Sequence, residues 1–194
     1  SGLDHPRTGI GICEQGSVDV EVFLDGVDAF GGSSVATGVN FSLYEDVDRG
    51  AAAAALLNTL NAPLFGLRTE FGRWRQVLPV LISVEDVPQQ NNRVSIAPDG
   101  TPIVSHAGLS NYGEAGIRRA LERLPEVCRP LPVEGIQFKR RRASESHVQC
   151  SLRMGTDPRA FVVDPVGRHH DVSNLIVVGS SVFPTCPPAN PSLT

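Results

Sequence analysis

The sequence has few cysteines, and their spacing excludes two classes of small stabilised domain. Cys13, Cys128, Cys150 and Cys186 are far apart and form no C-x-x-C pair. In a chain of 194 residues this spacing argues against a disulfide framework and against a structural zinc site. The cysteines are therefore expected to be buried free thiols.

The chain also lacks an excess of basic residues and any long apolar run. Its formal net charge is -4 and its pI is about 5.7, so no general basic field exists to attract nucleic acid. The one basic run, residues 139–142, is interpreted as a solvated strand end or a contact between domains. The longest apolar run, residues 51–57, is too short to span a membrane, and no signal peptide opens the chain. A soluble protein is expected, in a compartment that the sequence does not indicate.

Two motifs that mark common enzyme classes are absent. Gly9 and Gly11 are not followed by the third glycine and the helix of a G-x-G-x-x-G dinucleotide site, so no Rossmann unit is predicted within the chain. The stretch Val178-Gly-Ser-Ser-Val182 lacks the second glycine of a G-x-S-x-G nucleophile turn. The sequence motifs therefore support neither a dinucleotide-binding unit within this chain nor a serine nucleophile.

What the chain does contain is an ordinary globular composition, with 41% hydrophobic and 20% charged residues. Alternation and turn residues predict strands over residues 18–24, 35–43, 76–85, 101–105 and 133–138, a loop and a strand within 86–96, and helices over 49–60 and 111–128. Asp48 is predicted to cap the first helix, and Pro79 suggests a bulge or an edge strand. Because strands and helices do not alternate, we predict an α+β fold with a mostly antiparallel mixed sheet flanked by helices.

The last part of the chain carries a long pattern. It reads H-x-x-C-S-L-R-M-G-T-D-P from His147, N-L-I-V-V-G-S-S-V-F-P from Asn174 and A-N-P-S-L-T up to Thr194. This string resembles the C-terminal signature of the glucose-methanol-choline (GMC) flavin oxidoreductases. Residues 3–6 (L-D-H-P) and a P-x-x-N-x-R-V strand followed by D-G-x-P, beginning at Pro88, resemble further parts of that family.

The resemblance implies a catalytic pair. By position, His147 matches the family's principal acid-base histidine, and Asn190 matches the second site residue. An imidazole suits a base because histidine ordinarily titrates close to neutral pH, whereas an asparagine amide can only hydrogen-bond the substrate oxygen. The parent protein is thus expected to be an FAD-dependent enzyme that oxidises an alcohol, a sugar or a polyol.

The resemblance also implies cofactor contacts close to this pair. Ser180, Ser181, Val182, Asn190 and Pro191 are expected to face the flavin, in a C-terminal strand-turn segment that belongs to the flavin-binding unit. The chain departs from the family pattern at two places. Cys150-Ser151 replaces the usual Gly-Thr, and Gly179 stands where many members have Asp.

The expected division is a substrate-binding domain over residues 1–145, incomplete at its start, and a catalytic and flavin-contacting segment over 146–194, which ends before its final helix. The Rossmann unit that binds FAD would lie elsewhere, in cis or in trans, and the isolated chain is expected to hold FAD weakly and to be inactive. The alternatives are a non-catalytic substrate-binding fragment and a chain that needs a separate FAD-binding partner.

A metal-binding domain is a less favoured alternative. It would use His147, Cys150 and Cys186 with His169 and His170. Adjacent histidines on a strand point to opposite faces, so a solvated pair is the simpler interpretation of residues 169 and 170, and no metal is predicted. His5 and His106 are interpreted as ordinary surface or packing residues.

Overall fold

The structure, a computed structural model, describes residues 5–29, 35–45, 47–61 and 68–191. The chain forms two compact units: unit 1 comprises Ser1–Gln15, Asp86–Ser110 and Ser146–Thr194, and unit 2 comprises Gly16–Glu85 and Asn111–Glu145. Residues 3 and 4 and residues 192–194, which carry the ends of two sequence patterns, lie outside the described residues. In the part of the chain that is described, no helix combines the length and the apolar character needed to cross a membrane.

The described residues form seven strands and one α-helix. They are β1 (Gly16–Leu24), β2 (Ala36–Asn40), β3 (Ala55–Leu60), β4 (Val77–Val84), β5 (Arg93–Ile96), β6 (Pro102–Ser105), α1 (Asn111–Val127) and β7 (Val133–Arg141). In unit 2 five strands pair antiparallel in the order β2-β3-β4-β1-β7, and in unit 1 β5 and β6 form a hairpin. The predicted α+β class with a mostly antiparallel sheet is confirmed, with one α-helix where several were expected.

Strand β1 lies inside the sheet and is buried on both faces. The predicted alternation places Val18, Val20 and Val22 in the core, but Asp19 and Glu21 are buried as well. The alternation predicts a half-buried strand with one polar face, and this prediction is wrong. Asp19 is 1% exposed and accepts hydrogen bonds of 2.9 Å from Nε of both Arg140 and Arg142, so the basic run supplies the charge that a buried carboxylate requires.

Strand β4 is an interior strand, as its apolar run predicted, but Pro79 marks neither an edge nor a bulge. Pro79 pairs in regular register with Glu21 of β1. On the other side, the pairing of β4 with β3 ends at Val80, which lies opposite Thr59. The nitrogen of Pro79, which carries no hydrogen, therefore lies just beyond the last residue pair between β3 and β4, so no hydrogen bond of that ladder is lost.

The alanine-rich stretch is not a helix. A short 3-10 helix covers Val47–Gly50, and strand β3 follows, so the predicted helix over residues 49–60 is wrong. The side chain of Asp48, the predicted cap, and residues 62 and 63, the predicted stop, lie outside the described part. A Cβ added to Gly116 of α1 would lie 2.5 Å from Ala53 Cβ, so this chain segment is fixed by close packing that overrides its helix propensity.

Helix α1 occupies the predicted range and packs on the sheet of unit 2. Ile117, Ala120 and Leu124 are buried, and the predicted face member Leu121 is half-buried. Pro125 stands in the last turn, and the helix ends two residues later. Buried residues at spacings of three and four are typical of an amphipathic helix that packs on a core.

Unit 1 contains little regular structure apart from the β5–β6 hairpin. Its backbone is held by isolated bridges such as Cys13 with Gln149 and Asp86 with Cys186. In the C-terminal segment, which the family resemblance describes as a strand and a turn, Ile176 forms one isolated bridge with Arg168. The residues implied in catalysis by the sequence pattern all lie in this unit.

Candidate functional site

His147 is positioned by an antiparallel pairing between two segments that are distant in sequence. Cys13 and Gln149 exchange both backbone hydrogen bonds, at 3.0 and 2.8 Å. In an antiparallel pair, moving two residues forward on one segment corresponds to moving two residues back on the other. The register therefore sets Gln15 opposite His147.

The side chain of His147 is half-buried and contacts the segment opposite it. Its Nδ1 lies 2.9 Å from Oε1 of Gln15, and its backbone N–H donates to Oε1 of Glu14 at 3.1 Å. Among the residues that the structure describes, Nε2 has no hydrogen-bond partner. One ring nitrogen is thus fixed by the protein, and the other is available to a ligand.

Gln15 also reaches the segment that leads to Asn190. Its Nε2 donates to the carbonyl oxygen of Pro187 at 2.6 Å and to that of Ala189. Asn190 follows directly and is exposed, whereas the next residue, Pro191, is buried. One buried amide side chain, which no sequence motif marks, therefore links His147 to the backbone that precedes Asn190.

The backbone on both sides of His147 is unusual. Among the described non-glycine residues, Ser146 with φ 63° and Cys150 with φ 71° are the two that have a positive φ. A residue with a Cβ adopts this region at a cost of about 1–2 kcal/mol, so other contacts must hold it there. Cys150 stands where the family pattern carries glycine, and it keeps the backbone geometry that glycine allows more cheaply.

Three of the five residues predicted to face the flavin form a short 3-10 helix, Ser180–Val182, next to the segment after His147. The carbonyl oxygens of Ser180, Ser181 and Val182 accept backbone N–H bonds from Cys150, Leu152 and Met154 at 2.8–3.2 Å. The Ser180 hydroxyl donates to the carbonyl oxygen of Val148 at 2.9 Å. These contacts hold the segment that follows His147, so Ser180 has a local structural role.

Gly179 precedes this 3-10 helix, and the backbone conformation at this position favours a residue without a side chain. Its φ is 97°, a conformation that favours glycine. A Cβ built on it would meet no atom within 4 Å, so one side of this turn is open. The departure from the family pattern at this position thus has a conformational cause.

Three of the four cysteines form a cluster that the sequence did not predict. Cys13, Cys150 and Cys186 are buried together with Phe183 packed against them, and Gln149 Nε2 donates to Sγ of Cys186 at 3.0 Å. Thiol hydrogen bonds from Cys150 and Cys186 lower the pKa of Cys13, and the same bonds with burial raise the pKa of the other two. All four cysteines are free and buried, as expected.

Of the residues considered for a metal site, Cys150 and Cys186 meet in the cysteine cluster, but in the described part of the chain no group of three or more suitable side chains could hold a metal ion. Cys150 packs with the other thiols, and the interpretation of residues 169 and 170 as a solvated pair is wrong. His169 is buried and its Nδ1 accepts the N–H of Asp171, while His170 Nε2 bonds the carbonyl oxygen of Gly155 at 3.0 Å. These imidazoles are structural.

Two further histidines were interpreted as surface or packing residues. His5 is buried, its Nε2 donates to the carbonyl oxygen of Pro158 at 2.7 Å, and its ring meets that of His169 edge-on with centroids 6.0 Å apart. His106 is exposed and its Nδ1 accepts the N–H of Gly108 at 3.3 Å. Both fit the roles expected of them.

The sequence profile of the GMC oxidoreductase family matches residues 88–194. No curated protein matches the chain. Among solved structures, pyridoxine 4-oxidase from Mesorbium loti is similar with a TM-score of 0.62 and 16% identity, over 96% of this chain and 41% of that one. A variant of formate oxidase from Aspergillus oryzae RIB40 is similar with a TM-score of 0.55 and 15% identity, over 96% and 45%. At such identities the likeness concerns the fold, and the chain spans less than half the length of these two proteins.

Proposed function

Because the chain belongs to the GMC oxidoreductase family, we propose that it is the base-carrying and substrate-binding part of an FAD-dependent enzyme that oxidises an alcohol to a carbonyl compound. The observation that supports this most directly is the contact of Gln15 with both His147 and the backbone before Asn190. Those are the two residues that the family pattern associates with alcohol chemistry.

The proposed role of His147 is to take the hydroxyl proton of the substrate at Nε2. The imidazole is a suitable acceptor because it is half-buried and because Gln15 holds Nδ1, which leaves Nε2 to take the proton. Asn190 is proposed to donate its side-chain amide N–H to the same oxygen and so to stabilise negative charge as it develops.

When bound, FAD supplies the acceptor for the hydride that leaves the carbinol carbon. The substrate would lose one proton to Nε2 of His147 and one hydride to the flavin, which would leave a carbon–oxygen double bond. The residues present fit a flavin at this place in two respects. Gly179 leaves open space beside the turn, and Asn190 is exposed.

The cofactor contacts proposed for this chain are Ser180, Ser181, Val182, Asn190 and Pro191. Ser180 is committed to the Val148 carbonyl oxygen, so its proposed contribution is through the backbone. The main FAD-binding unit is proposed to lie outside these residues, in cis or in trans. The substrate is proposed to be a small alcohol, sugar or polyol, bound by residues of the 1–145 segment.

The test is reduction of flavin by alcohols under anaerobic conditions, in protein that also contains the flavin-binding unit. We expect a primary or secondary alcohol to bleach the yellow colour of oxidised FAD. A tertiary alcohol of similar size is the control, since it has no hydrogen on its carbinol carbon and must leave the colour unchanged. Bleaching by amines or thiols with none by any alcohol would contradict the proposal.

A further inference from the structure

One side chain of unit 1 makes three polar contacts at the candidate site, and its chemistry leaves only one arrangement of protons. Gln15 is 6% exposed, so its amide cannot exchange these partners for bulk water at little cost. Its Nε2 lies within hydrogen-bond distance of the carbonyl oxygens of Pro187 and Ala189, and its Oε1 lies 2.9 Å from His147 Nδ1.

The orientation of the Gln15 amide follows from its two backbone partners. A carbonyl oxygen accepts hydrogen bonds and cannot donate them. The NH₂ group of Gln15 must therefore face Pro187 and Ala189, because the opposite orientation would bring three oxygen lone pairs together. Both N–H donors are then in use, and Oε1 is directed at the imidazole.

The proton on the imidazole follows in turn. Oε1 of Gln15 is an acceptor, so His147 Nδ1 must carry the hydrogen of their bond. In the neutral ring the lone pair then lies on Nε2. The backbone pairing of Cys13 with Gln149 fixes the same register, so the two side chains are held opposite each other by main-chain bonds as well.

We propose that Gln15 is the positioning residue of the site. It holds His147 as the Nδ1–H tautomer, with Nε2 ready to accept a proton, and with the same amide it fixes the backbone from which Asn190 projects. This inference rests on the proposed function, in which Nε2 is the proton acceptor. Gln15 itself touches neither the substrate nor the reacting atoms, so its effect on the reaction would pass through His147 and Asn190.

The direct test is nitrogen NMR of the histidine rings in the full chain, at a pH where His147 is neutral, with its signals assigned by their loss in His147→Ala. We expect Nδ1 to have the frequency of a protonated ring nitrogen and Nε2 that of an unprotonated one. The opposite pattern in the unmodified protein would overturn the proposal, and this result does not depend on any variant folding.

Two substitutions separate the two functions of the amide. Gln15→Glu keeps an oxygen acceptor for Nδ1–H, but its carboxylate has no N–H to donate to Pro187 and Ala189, so we expect the tautomer to persist while the backbone amide resonance of Asn190 shifts. Gln15→Leu removes both functions and should also move the two ring-nitrogen frequencies towards each other, as the tautomers interconvert. Unchanged ring frequencies in Gln15→Leu would overturn the proposal.

A kinetic measurement links the tautomer to the reaction. In protein with the flavin-binding unit, Gln15→Leu should slow flavin reduction about 10-fold to 100-fold with little change in substrate affinity, less than loss of the base itself. The results can separate a failure of the role proposed for Gln15 from a failure of the proposed function. If the NMR pattern is as expected but His147→Ala reduces flavin normally, only the base assignment is wrong. If His147→Ala abolishes reduction but the tautomer is reversed, only the role of Gln15 is wrong.

Discussion

The two units of this protein are stabilised by different kinds of interior. In unit 2 the sheet and helix α1 bury mainly aliphatic side chains, among them Val18, Ile82 and Leu124, although Asp19 and Glu21 are buried there too. In unit 1 an equally inaccessible interior contains many polar groups: His5, Gln15, Asp86, Asn92, Ser110, Gln149 and His169 are all buried there. An apolar interior depends on volume and periodicity, whereas a polar interior depends on each group finding its own partner.

The largest expected effect comes from opening a cavity in the apolar interior. Ile82 is 0% exposed in β4, between Val18 of β1 and Leu57 of β3. Ile82→Ala should lower the free energy of unfolding by about 2–5 kcal/mol, because it removes buried methylene groups and leaves a void. Denaturant unfolding measures the change.

The matched control for this substitution is Ile96→Ala in the hairpin of unit 1. Ile96 is 67% exposed at the end of β5, so the same atoms are removed from a residue that is largely in water. We expect a change within about 0.5 kcal/mol. Equal losses in the two variants would contradict the view that unit 2 is held by its apolar core.

A smaller effect is expected from deleting one polar group of unit 1. Asn92 is buried, and its Oδ1 accepts the backbone N–H of Ala107 at 2.8 Å, while its Nδ2 is without a partner in the described part of the chain. Asn92→Ala removes one hydrogen bond and one uncompensated donor, so the net loss should be about 1 kcal/mol. The amide of Ala107 should then exchange about fivefold faster, as hydrogen exchange measures.

Asn91→Ala is the corresponding control, because residue 91 is the same residue type and is exposed. It should leave both stability and exchange of the Ala107 amide unchanged. An equal acceleration in the two variants would mean that the loop responds to any substitution nearby, and that the side-chain contact of Asn92 is not what holds it.

The same contrast explains how much could be predicted from the sequence. Strand β1 and helix α1 were predicted because their apolar residues repeat with a regular period, and β4 was predicted because its apolar run has few polar breaks. The alanine-rich stretch was misassigned because alanine favours a helix locally, while its actual conformation is decided by the close approach of Ala53 to Gly116, distant in sequence.

In unit 1 the motif led to His147 and Asn190, but nothing led to Gln15 or to the cysteine cluster. Gln15 has no motif of its own and becomes significant only through the pairing of residue 13 with residue 149. Cys13, Cys150 and Cys186 likewise meet through contacts between segments with no common periodicity. Knowledge of one strand register would have revealed Gln15, because the pairing places it opposite His147.

The central claim is that His147 accepts the proton of an alcohol, and the most direct test is the rate of anaerobic flavin reduction in protein that contains the flavin-binding unit. His147→Ala should slow reduction by an alcohol about 100-fold to 10,000-fold, because a positioned base contributes on that order, while the spectrum of bound FAD stays the same. His106→Ala, at an exposed histidine of the same unit, should reduce at the normal rate. A His147→Ala protein that reduces its flavin as fast as the unmodified one would contradict the account.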